Sequence, residues 1–523
     1  MCPQAGAAGY PSYMPAATLN QILRVQVDAR GAKVALLFEG ETRSYAELDR
    51  HAAQIANGLI AKGVVPGDRV AYLGKNTLAY FEFLLGAAKA RAVTVPVNWR
   101  LAEPEVRYIL ENARPKLLLV EPAFESTAAN AAPHTERLVT GGANDTFVSW
   151  RERQSGEAVD PAVDWEEPLL QLYTSGTTGR PKGAVLTHRS MFSLRSRPEL
   201  LPEWYLWAPE DVSLIAMPIA HISGTGWGVW TLYHGATGVI LREFDPHKVF
   251  DLMVSKRVTK IMMVPTAMQI AVRHPLAKST DFSFLRYMFY GGAPLPVDLM
   301  KECSQVFGCG FVQMYGMTET SGTVAALGPE DHHPARVDRL RSVGQALPGV
   351  EIKIIDAGGA EVERGITGEI AVRTRANMSG YFELPQATAE TLDGEGWLRT
   401  GDAGYLDEDG YLFIKDRVKD VVISGGENIY PAEVENAIFG HPLVLEVAVI
   451  GVPDEKWGEV VKAFVVPKAG ASPSAQEIIA WAAERIAKYK LPKVVELVSS
   501  LPRNHTGKIL RRELRDADRA KST

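Results

Sequence analysis

The sequence predicts an α/β protein: a large N-terminal domain, a barrel-like β-rich segment within it, and a small α+β domain at the C-terminal end. Helical and strand patterns alternate over the first 240 residues, which is typical of a largely parallel sheet covered by helices. From Ser342 to Lys415 the segments shorten and Gly-Gly, Asp-Gly and Pro-Gly pairs separate them, which favours antiparallel strands. After Arg417, strand and helix patterns predict the small α+β domain.

The first helix that we predict begins after Ser44. Ser44 and Glu47 have the spacing of a capping box, and apolar residues from Leu48 to Leu59 then recur on one helical face. Residues 70–73 and 93–97 are predicted strands, with a helix over 78–90 between them. Further apolar runs predict buried strands at 260–264, 287–290, 446–450 and 462–466. A helix is predicted over 474–488, with its half-buried face formed by Ile478, Trp481, Ala482 and Arg485.

Composition excludes several classes of protein. The chain has 523 residues, 46% hydrophobic and 23% charged, with a net charge of −6, which excludes a disordered, collagenous or coiled-coil chain. This charge balance does not favour nucleic-acid binding. Cys2, Cys303 and Cys309 have no CxxC spacing, so we expect reduced thiols and a cytoplasmic protein. The N-terminal residues lack the pattern of a secretory signal, and the last three are not a peroxisomal address.

One uncharged stretch, residues 212–241, needs to be distinguished from a membrane span. It contains no Asp, Glu, Lys or Arg, but it does contain Pro218, five glycines and two histidines. A membrane span would be more continuously apolar. We therefore predict a buried strand-loop-helix region and no integral membrane association.

The segment with the clearest chemistry is residues 173–183, Tyr-Thr-Ser-Gly-Thr-Thr-Gly-Arg-Pro-Lys-Gly. Its glycines let backbone amides approach an oxyanion, its hydroxyl groups add donors, and Lys182 adds a positive charge. These features suit a polyphosphate. The spacing differs from that of the Walker motif, so a standard P-loop NTPase is not indicated.

This loop resembles that of the adenylate-forming superfamily, which includes acyl- and aryl-CoA synthetases, luciferases and peptide-synthetase adenylation domains. Further segments resemble the superfamily's motifs in the same order along the chain. They are Gly291-Gly292-Ala293-Pro294-Leu295, Tyr315-Gly316-Met317-Thr318-Glu319-Thr320, Trp397-Leu398-Arg399-Thr400-Gly401-Asp402, Asp416-Arg417-Val418-Lys419-Asp420 with Ser424-Gly425-Gly426-Glu427-Asn428, and Pro502-Arg503-Asn504-His505-Thr506-Gly507-Lys508.

The resemblance implies a fold and an activity. The expected fold has an N-terminal adenylation domain of stacked αβ subdomains over 1–416, including a β-rich subdomain at about 342–416, and a mobile C-terminal catalytic domain over 417–523. The expected reaction is ATP- and Mg²⁺-dependent activation of a small carboxylic acid to an acyl-adenylate, with release of pyrophosphate. The acyl group then passes to CoA.

The resemblance also implies roles for individual residues. Lys508 stabilises the adenylation transition state, Glu319 holds Mg²⁺, and Lys419 is the hinge. Tyr315 offers a ring face to the adenine, and Asp402 and Arg417 bind the ribose. Trp457 lies where some aryl-CoA ligases stack the CoA adenine, and Gly425 and Gly426 admit the pantetheine chain. The predicted catalytic residues are Lys508, Glu319, His221, Thr174 and Lys182. The predicted nucleotide and CoA contacts are Thr174, Ser175, Gly176, Thr177, Thr178, Gly179, Lys182, Gly291, Gly292, Ala293, Gln313, Met314, Tyr315, Gly316, Thr318, Asp402, Arg417, Lys419, Gly425, Gly426, Trp457 and Lys508.

The pocket for the acid is predicted from the same resemblance. Its residues are His221, Gly226, Trp227, Val264, Gly292, Gly316, Met317 and Gly322. Many relatives carry a large aromatic residue before the histidine, whereas Ile219-Ala220 is smaller here. The bulk of Trp227 and Trp230 favours a short, branched, cyclic or aryl acid over a long-chain acid.

Several alternatives remain open at the level of sequence. An amide ligase, or a ligase that charges a carrier-protein thiol, would use the same adenylation motifs. A luciferase-like oxygenase is a more remote option. A nucleotide sensor with a decayed site is also remote, because the motifs retain their chemical residues. The oligomeric state is also open, with a homodimer among the options.

Overall fold

The computed structural model describes residues 17–159, 161–174, 180–195, 198–293, 295–333, 336, 338–424, 427–503 and 509–522. The helices are α1 (Leu19–Arg30), α2 (Tyr45–Ala61), α3 (Leu78–Lys89), α4 (Glu103–Ala113), α5 (Glu125–Ala131), α6 (Thr146–Glu152), α7 (His188–Phe192), α8 (Ile222–Tyr233), α9 (Pro246–Ser255), α10 (Pro265–Val272), α11 (Val297–Phe307), α12 (Pro385–Thr391), α13 (Pro431–Phe439), α14 (Ala475–Ala483) and α15 (Arg511–Ser522).

The strands are β1 (Val34–Phe38), β2 (Glu41–Ser44), β3 (Arg69–Gly74), β4 (Val93–Asn98), β5 (Leu117–Val120), β6 (Glu136–Val139), β7 (Pro168–Thr174), β8 (Lys182–Thr187), β9 (Val212–Ile215), β10 (Thr237–Ile240), β11 (Lys260–Met263), β12 (Tyr287–Gly291), β13 (Gly310–Met317), β14 (Gly322–Leu327), β15 (Gln345–Ala346), β16 (Val350–Ile355), β17 (Gly368–Thr374), β18 (Gly380–Tyr381), β19 (Trp397–Leu406), β20 (Leu412–Arg417), β21 (Val422–Ser424), β22 (Glu427–Ile429), β23 (Val444–Asp454), β24 (Gly458–Pro467) and β25 (Val494–Leu497).

The chain divides into two units by its internal packing. The first unit extends to Glu351 and includes Val372–Leu398, and the second consists of Ile352–Ala371 and the chain from Arg399. The boundary therefore crosses the chain within β16, β17 and β19. The predicted domain boundary between residues 416 and 417 stays a prediction.

Two sheets form the framework of the first unit. One has the strand order β18–β8–β7–β4–β3–β5–β6, and the other β15–β14–β13–β12–β11–β9–β10–β1–β2. The pairs β3–β4, β3–β5 and β11–β12 are parallel, as the alternation of strands and helices predicts. Val70, Ala71 and Tyr72 of β3 are fully buried, which is typical of a parallel strand covered on both faces.

Local sequence explains the predicted elements of this unit. The side chains of Ser44 and Glu47 close the predicted capping box at the start of α2. Leu48 and Leu59, on the predicted apolar face of α2, are fully buried. The uncharged stretch 212–241 folds as β9, α8 and β10, largely buried, as predicted. No helix in the described part of the chain combines the length and apolar character that a membrane crossing needs.

The second unit contains the predicted C-terminal strands and helix. β23 and β24 form a long antiparallel hairpin, and β25 runs parallel to β24. The predicted helix over 474–488 is too long, because α14 ends at Ala483. Ile478 and Ala482 lie in the core, but Arg485 is exposed beyond the helix end. The Arg485 Cζ atom lies 3.5 Å from the centre of the Trp481 ring.

The β-rich segment predicted from residue 342 folds as a small sheet with the order β16–β17–β19–β20. β19 and β20 are antiparallel, as the Gly-rich punctuation predicts. Asp409-Gly410 forms the turn between them, and Gly410 has a φ of 81°. These strands bring Asp402 and Arg417 opposite each other.

Candidate active site

The predicted phosphate loop joins two antiparallel strands of the first unit. β7 ends at Thr174 and β8 begins at Lys182, and these two residues are partners across the hairpin. Both side chains are half-buried. Ser175, Gly176, Thr177, Thr178 and Gly179 lie outside the described residues. The hairpin therefore fixes the two ends of the loop, and it places a hydroxyl group and an ammonium group there.

Glu319 is buried, and hydroxyl groups hold its carboxylate. The residue is 5% exposed and lies in a short helical turn, Thr318–Thr320, directly after β13. The Thr174 Oγ1 hydroxyl donates to Glu319 Oε1 at 3.1 Å, and the Tyr381 hydroxyl donates to the same oxygen at 2.9 Å. Within the described residues, no hydrogen bond reaches Oε2. The predicted metal ligand and the predicted phosphate loop are thus in direct contact.

The contacts of Glu319 decide whether its carboxylate is suited to binding Mg²⁺. Across the described ranges, no group of three or more His, Cys, Asp or Glu side chains is arranged to hold a metal ion. A single carboxylate fits Mg²⁺, which proteins often bind through one or two carboxylates together with phosphate oxygens. Glu319 is such a carboxylate, since one of its oxygens carries no hydrogen bond from the described residues. The donor set therefore fits Mg²⁺ bound jointly with a polyphosphate.

The predicted adenine side is formed where β12 and β13 run parallel. Gly291 pairs with Met314, and a Cβ at position 291 would lie 2.3 Å from the Met314 carbonyl oxygen, so only glycine fits. Gly292 has a φ of 80° and is exposed, as is Ala293. Gln313 and Met314 are buried, whereas Tyr315 is half-buried and offers part of its ring. Gly292, Ala293 and part of Tyr315 are thus accessible at the ends of the strands, whereas Gly291 and Met314 are packed closely together.

Three of the predicted acid-pocket residues, His221, Gly316 and Gly322, lie around the start of α8. His221 precedes α8, and its Nε2 lies 3.5 Å from Asn98 Nδ2. Gly316 must be glycine, because a Cβ there would lie 1.8 Å from the carbonyl oxygen of Gly322. A Cβ at Gly322 would lie 3.8 Å from Cγ1 of Ile222, so the first residue of α8 lies at van der Waals distance from this turn. The remaining predicted residues here are Gly226 on α8, Val264 before α10, and Met317 at the end of β13.

Trp227 lies behind this region and not at an open surface. It is 3% exposed, and its ring centre is 4.7 Å from that of Trp207 and 5.1 Å from that of Phe289. Trp230 joins the same cluster at 5.1 Å from Trp207. The tryptophans that we predicted to reduce the pocket are therefore packed in a buried aromatic cluster, and their effect on an acid stays a prediction.

In the second unit, Asp402 and Arg417 form an ion pair. Arg417 Nε lies 2.8 Å from Asp402 Oδ1, and Arg417 Nη1 donates to the Thr400 carbonyl oxygen at 3.0 Å. The Thr400 hydroxyl also accepts a hydrogen bond from the Asp402 amide at 3.1 Å. The two predicted ribose ligands are thus held side by side by neighbouring strands.

Lys419, the predicted hinge residue, lies between two buried carboxylates that the C-terminal helix binds. Arg511 Nη1 is 3.2 Å from Asp416 Oδ1, and Arg515 Nη2 is 2.5 Å from Asp420 Oδ1. Arg511 also binds Glu435 at 2.7 Å. Burial raises the pKa of Asp416 and of Glu435, and burial lowers the pKa of Lys419. Within this unit, α15 therefore fixes both flanks of the predicted hinge.

Trp457 is an exposed aromatic residue at the turn between β23 and β24. It is 43% exposed, and Lys456 Nζ lies 4.9 Å from its ring centre. The amides of Lys456 and Trp457 both donate to Asp454 Oδ1 at 2.9 Å, which fixes the turn. The ring is therefore presented on a rigid hairpin. Gly425, Gly426 and Lys508 lie outside the described residues, and their roles stay predictions.

Tyr381 is the residue that sequence reasoning missed. It follows Ser379-Gly380 outside every motif recognised above, and a single tyrosine in a short segment carries no distinguishing signal. Only the folded chain brings its hydroxyl group to Glu319. Arg511 and Glu435 were missed for the same reason, since their pairing depends on tertiary structure.

The chain is similar to known proteins over most of its length. Residues 23–382 match the family of AMP-binding enzymes, and residues 433–508 match the AMP-binding enzyme C-terminal domain. A fatty acid–[acyl-carrier-protein] ligase, ScoC of Streptomyces coeruleorubidus, is 44% identical over 95% of this chain and 96% of its own length. A feruloyl-CoA synthase of an Amycolatopsis species is 42% identical over 91% of this chain and 94% of its own.

A solved structure has the same fold. ATP-bound MatB from Rhodopseudomonas palustris superimposes with a TM-score of 0.88 at 34% identity, covering 96% of this chain and 99% of MatB. The similarity thus extends over almost the whole chain in sequence and in structure, including the segments that carry the candidate site.

Proposed function

This chain belongs to the family of AMP-binding enzymes, and we propose from its geometry how its residues divide the two half-reactions of an acid:CoA ligase. It is an AMP-forming ligase, which activates a carboxylic acid with ATP and releases pyrophosphate, and several of its relatives are CoA ligases. The observation that supports our assignment of residues is the contact between the Glu319 carboxylate and Thr174 at the end of the phosphate loop.

We assign the binding of ATP phosphates to the β7–β8 hairpin and to Glu319. Lys182 supplies positive charge at one end of the loop, and at the other end the Thr174 hydroxyl donates to the Glu319 carboxylate. Mg²⁺, when bound by Glu319 and the phosphates, would neutralise charge on the departing pyrophosphate. Tyr315 provides a ring face for adenine, and Asp402 accepts hydrogen bonds from the ribose hydroxyl groups while Arg417 holds it in place.

In the first half-reaction, an oxygen of the acid attacks the α-phosphorus of ATP. The bond between the α-phosphorus and the bridging oxygen breaks, and pyrophosphate leaves with that electron pair. Negative charge accumulates on the phosphoryl oxygens between the two reactants. A cation placed there acts on the transition state more than on the bound substrate, and we assign this role to Lys508.

Replacement of Lys508 by alanine should separate the two half-reactions. We expect carboxylate-dependent pyrophosphate release to fall about 100- to 1000-fold, the usual effect of removing one such donor. Thioester formation from a synthetic acyl-adenylate and CoA should remain close to that of the unmodified enzyme. The measurement is stopped-flow or quenched-flow kinetics of each half-reaction.

A matched control is Lys521→Ala, since Lys521 is an exposed lysine of α15 that pairs with Glu496. Both half-reactions should be unchanged in this variant. Equal loss of both half-reactions in Lys508→Ala would remove the assignment of Lys508 to adenylation.

In the second half-reaction, the thiol sulfur attacks the acyl carbonyl carbon and AMP leaves. We propose CoA as the physiological acceptor. Support comes from Trp457, because an exposed indole on a rigid hairpin is suited to stacking on the adenine of CoA. An acyl-carrier-protein thiol is the second candidate, since the relative ScoC is described as a carrier-protein ligase. Transfer to an amine is compatible with the same adenylation residues.

The Trp457→Ala variant tests whether Trp457 binds the adenine of CoA. Stacking of a base on an aromatic ring is worth about 1–3 kcal/mol, so the KM for CoA should rise about tenfold or more. The KM for pantetheine, which lacks the nucleotide, should not change. The Trp457→Phe variant retains a ring and should recover most of the affinity for CoA. An unchanged KM for CoA would argue against this assignment, and faster turnover with an amine or a carrier protein would favour those acceptors.

For the acid, we propose a short, branched, cyclic or aryl substrate. Ile222 supports this, because its side chain lies at van der Waals distance from the Gly322 position and so occupies space near His221. The feruloyl-CoA synthase relative is named for an aryl acid, although ScoC is named for a fatty acid. His221 directly precedes α8 and lies near Asn98. It would either contact the substrate carboxylate or line the pocket.

A screen of acids of graded length and ring content, read by pyrophosphate release, tests this proposal. We expect kcat/KM for the best cyclic or aryl acid to exceed that for palmitate by about tenfold or more, since a closed pocket rejects extra methylenes. Each acid is tested with and without CoA. A preference for palmitate would contradict the proposed pocket.

We also propose a reducing location such as the cytoplasm. Cys303 and Cys309 are free thiols, and burial raises the pKa of each to about 12. Such thiols are chemically unreactive near neutral pH. This supports a protein that does not depend on disulfides.

A further inference from the structure

The Tyr381 hydroxyl group contacts the carboxylate assigned above to Mg²⁺. It donates to Glu319 Oε1 at 2.9 Å, and Thr174 donates to the same oxygen at 3.1 Å. Hydrogen bonds to a charged acceptor are stronger than those between neutral groups. Two donors on one oxygen therefore restrict rotation of the carboxylate. The other oxygen, Oε2, accepts no hydrogen bond from the described residues.

The backbone around Tyr381 is fixed to the strand that follows the phosphate loop. Tyr381 pairs with Ala184 of β8, and the amide of Phe382 donates to the Gly183 carbonyl oxygen at 2.8 Å. The Tyr381 amide donates to Thr388 Oγ1 at 2.9 Å. The position of the ring is thus set by the same strand that begins at Lys182.

Tyr381 also contacts Lys182 directly. The Lys182 ammonium nitrogen lies 4.9 Å from the centre of the Tyr381 ring, within the range of a cation–π interaction. One side chain therefore contacts a cation and a carboxylate that are both assigned to the phosphates of ATP. The backbone of Glu319 is bound by the same segment, because the Met378 amide donates to the Glu319 carbonyl oxygen at 2.8 Å.

We propose that Tyr381 is a positioning residue for adenylation, one that orients Glu319 so that Oε2 faces the metal and that holds Lys182 at the phosphates. This inference rests on the proposed function, since it presumes that Glu319 binds Mg²⁺. Tyr381 does not touch the reacting atoms. Its effect is transmitted through the carboxylate and the ammonium group that it contacts.

Tyr381→Phe tests the hydroxyl group and leaves the ring next to Lys182. The affinity for a non-hydrolysable ATP analogue is measured by titration calorimetry, with Mg²⁺ and with EDTA. We expect about tenfold weaker binding with Mg²⁺, as for loss of one hydrogen bond to a charged group, and unchanged binding in EDTA. The Mg²⁺ concentration for half-maximal pyrophosphate release should rise by a similar factor, while thioester formation from a synthetic adenylate stays unchanged.

Three variants make the result specific. Thr174→Val removes the other donor to Oε1 and should show the same Mg²⁺-restricted loss, which also tests the proposal if Tyr381→Phe folds poorly. Tyr45→Phe is the matched control, because its buried hydroxyl donates to the Ala236 carbonyl oxygen, outside the candidate site. Tyr45→Phe should change neither affinity. Glu319→Gln should abolish the effect of Mg²⁺ on binding.

The outcomes separate the inference from the function on which it rests. If Glu319→Gln retains normal dependence on Mg²⁺, the metal assignment itself is wrong. If Glu319→Gln loses that dependence and Tyr381→Phe does not, only the role of Tyr381 is overturned. Equal weakening of binding by Tyr381→Phe with Mg²⁺ and with EDTA would show a merely structural role, and would also overturn it.

Discussion

The candidate site depends on a buried carboxylate that is held at one oxygen. Removing a carboxylate from water is costly unless hydrogen bonds or opposite charges compensate it. Glu319 meets this condition through hydroxyl groups from Thr174 and Tyr381, which are far apart in the sequence. Neutral donors stabilise the carboxylate without consuming its charge, so the negative charge remains available to a metal ion. An arginine in the same place would have satisfied the carboxylate and weakened a metal site.

In the second unit, buried carboxylates are paired with arginines and not with hydroxyl groups. Asp416, Asp420 and Glu435 are paired with Arg511 and Arg515 of α15, so loss of either arginine would leave a buried charge uncompensated. These residues surround Lys419, and Lys508 precedes Arg511 by three positions in the chain. The predicted hinge and the segment that follows the predicted catalytic lysine therefore belong to one packed cluster within that unit.

Local and ordered features of this chain could be predicted from sequence, and tertiary contacts could not. The capping box at Ser44, the buried strands and the hairpin strands β23 and β24 follow from neighbouring residues alone. The order of the motifs identified Glu319, Asp402 and Arg417 because each lies in a recognisable segment. The helix after Ser474 was predicted too long, since nothing in its periodicity shows that the helix ends at Ala483. Tyr381, and the core position of Trp227, depend on which strands pair and pack, which the local pattern does not show.

The most direct test of the account is a structure of the protein with Mg²⁺ and a non-hydrolysable ATP analogue. The account predicts a metal–oxygen distance of about 2.1 Å to Glu319 Oε2, with Oε1 still accepting hydrogen bonds from the Thr174 and Tyr381 hydroxyl groups. A metal ion bound only by phosphate oxygens and water, with Glu319 outside its ligands, would contradict the central claim. Coordination through Oε1, with both hydroxyl groups displaced, would contradict it equally.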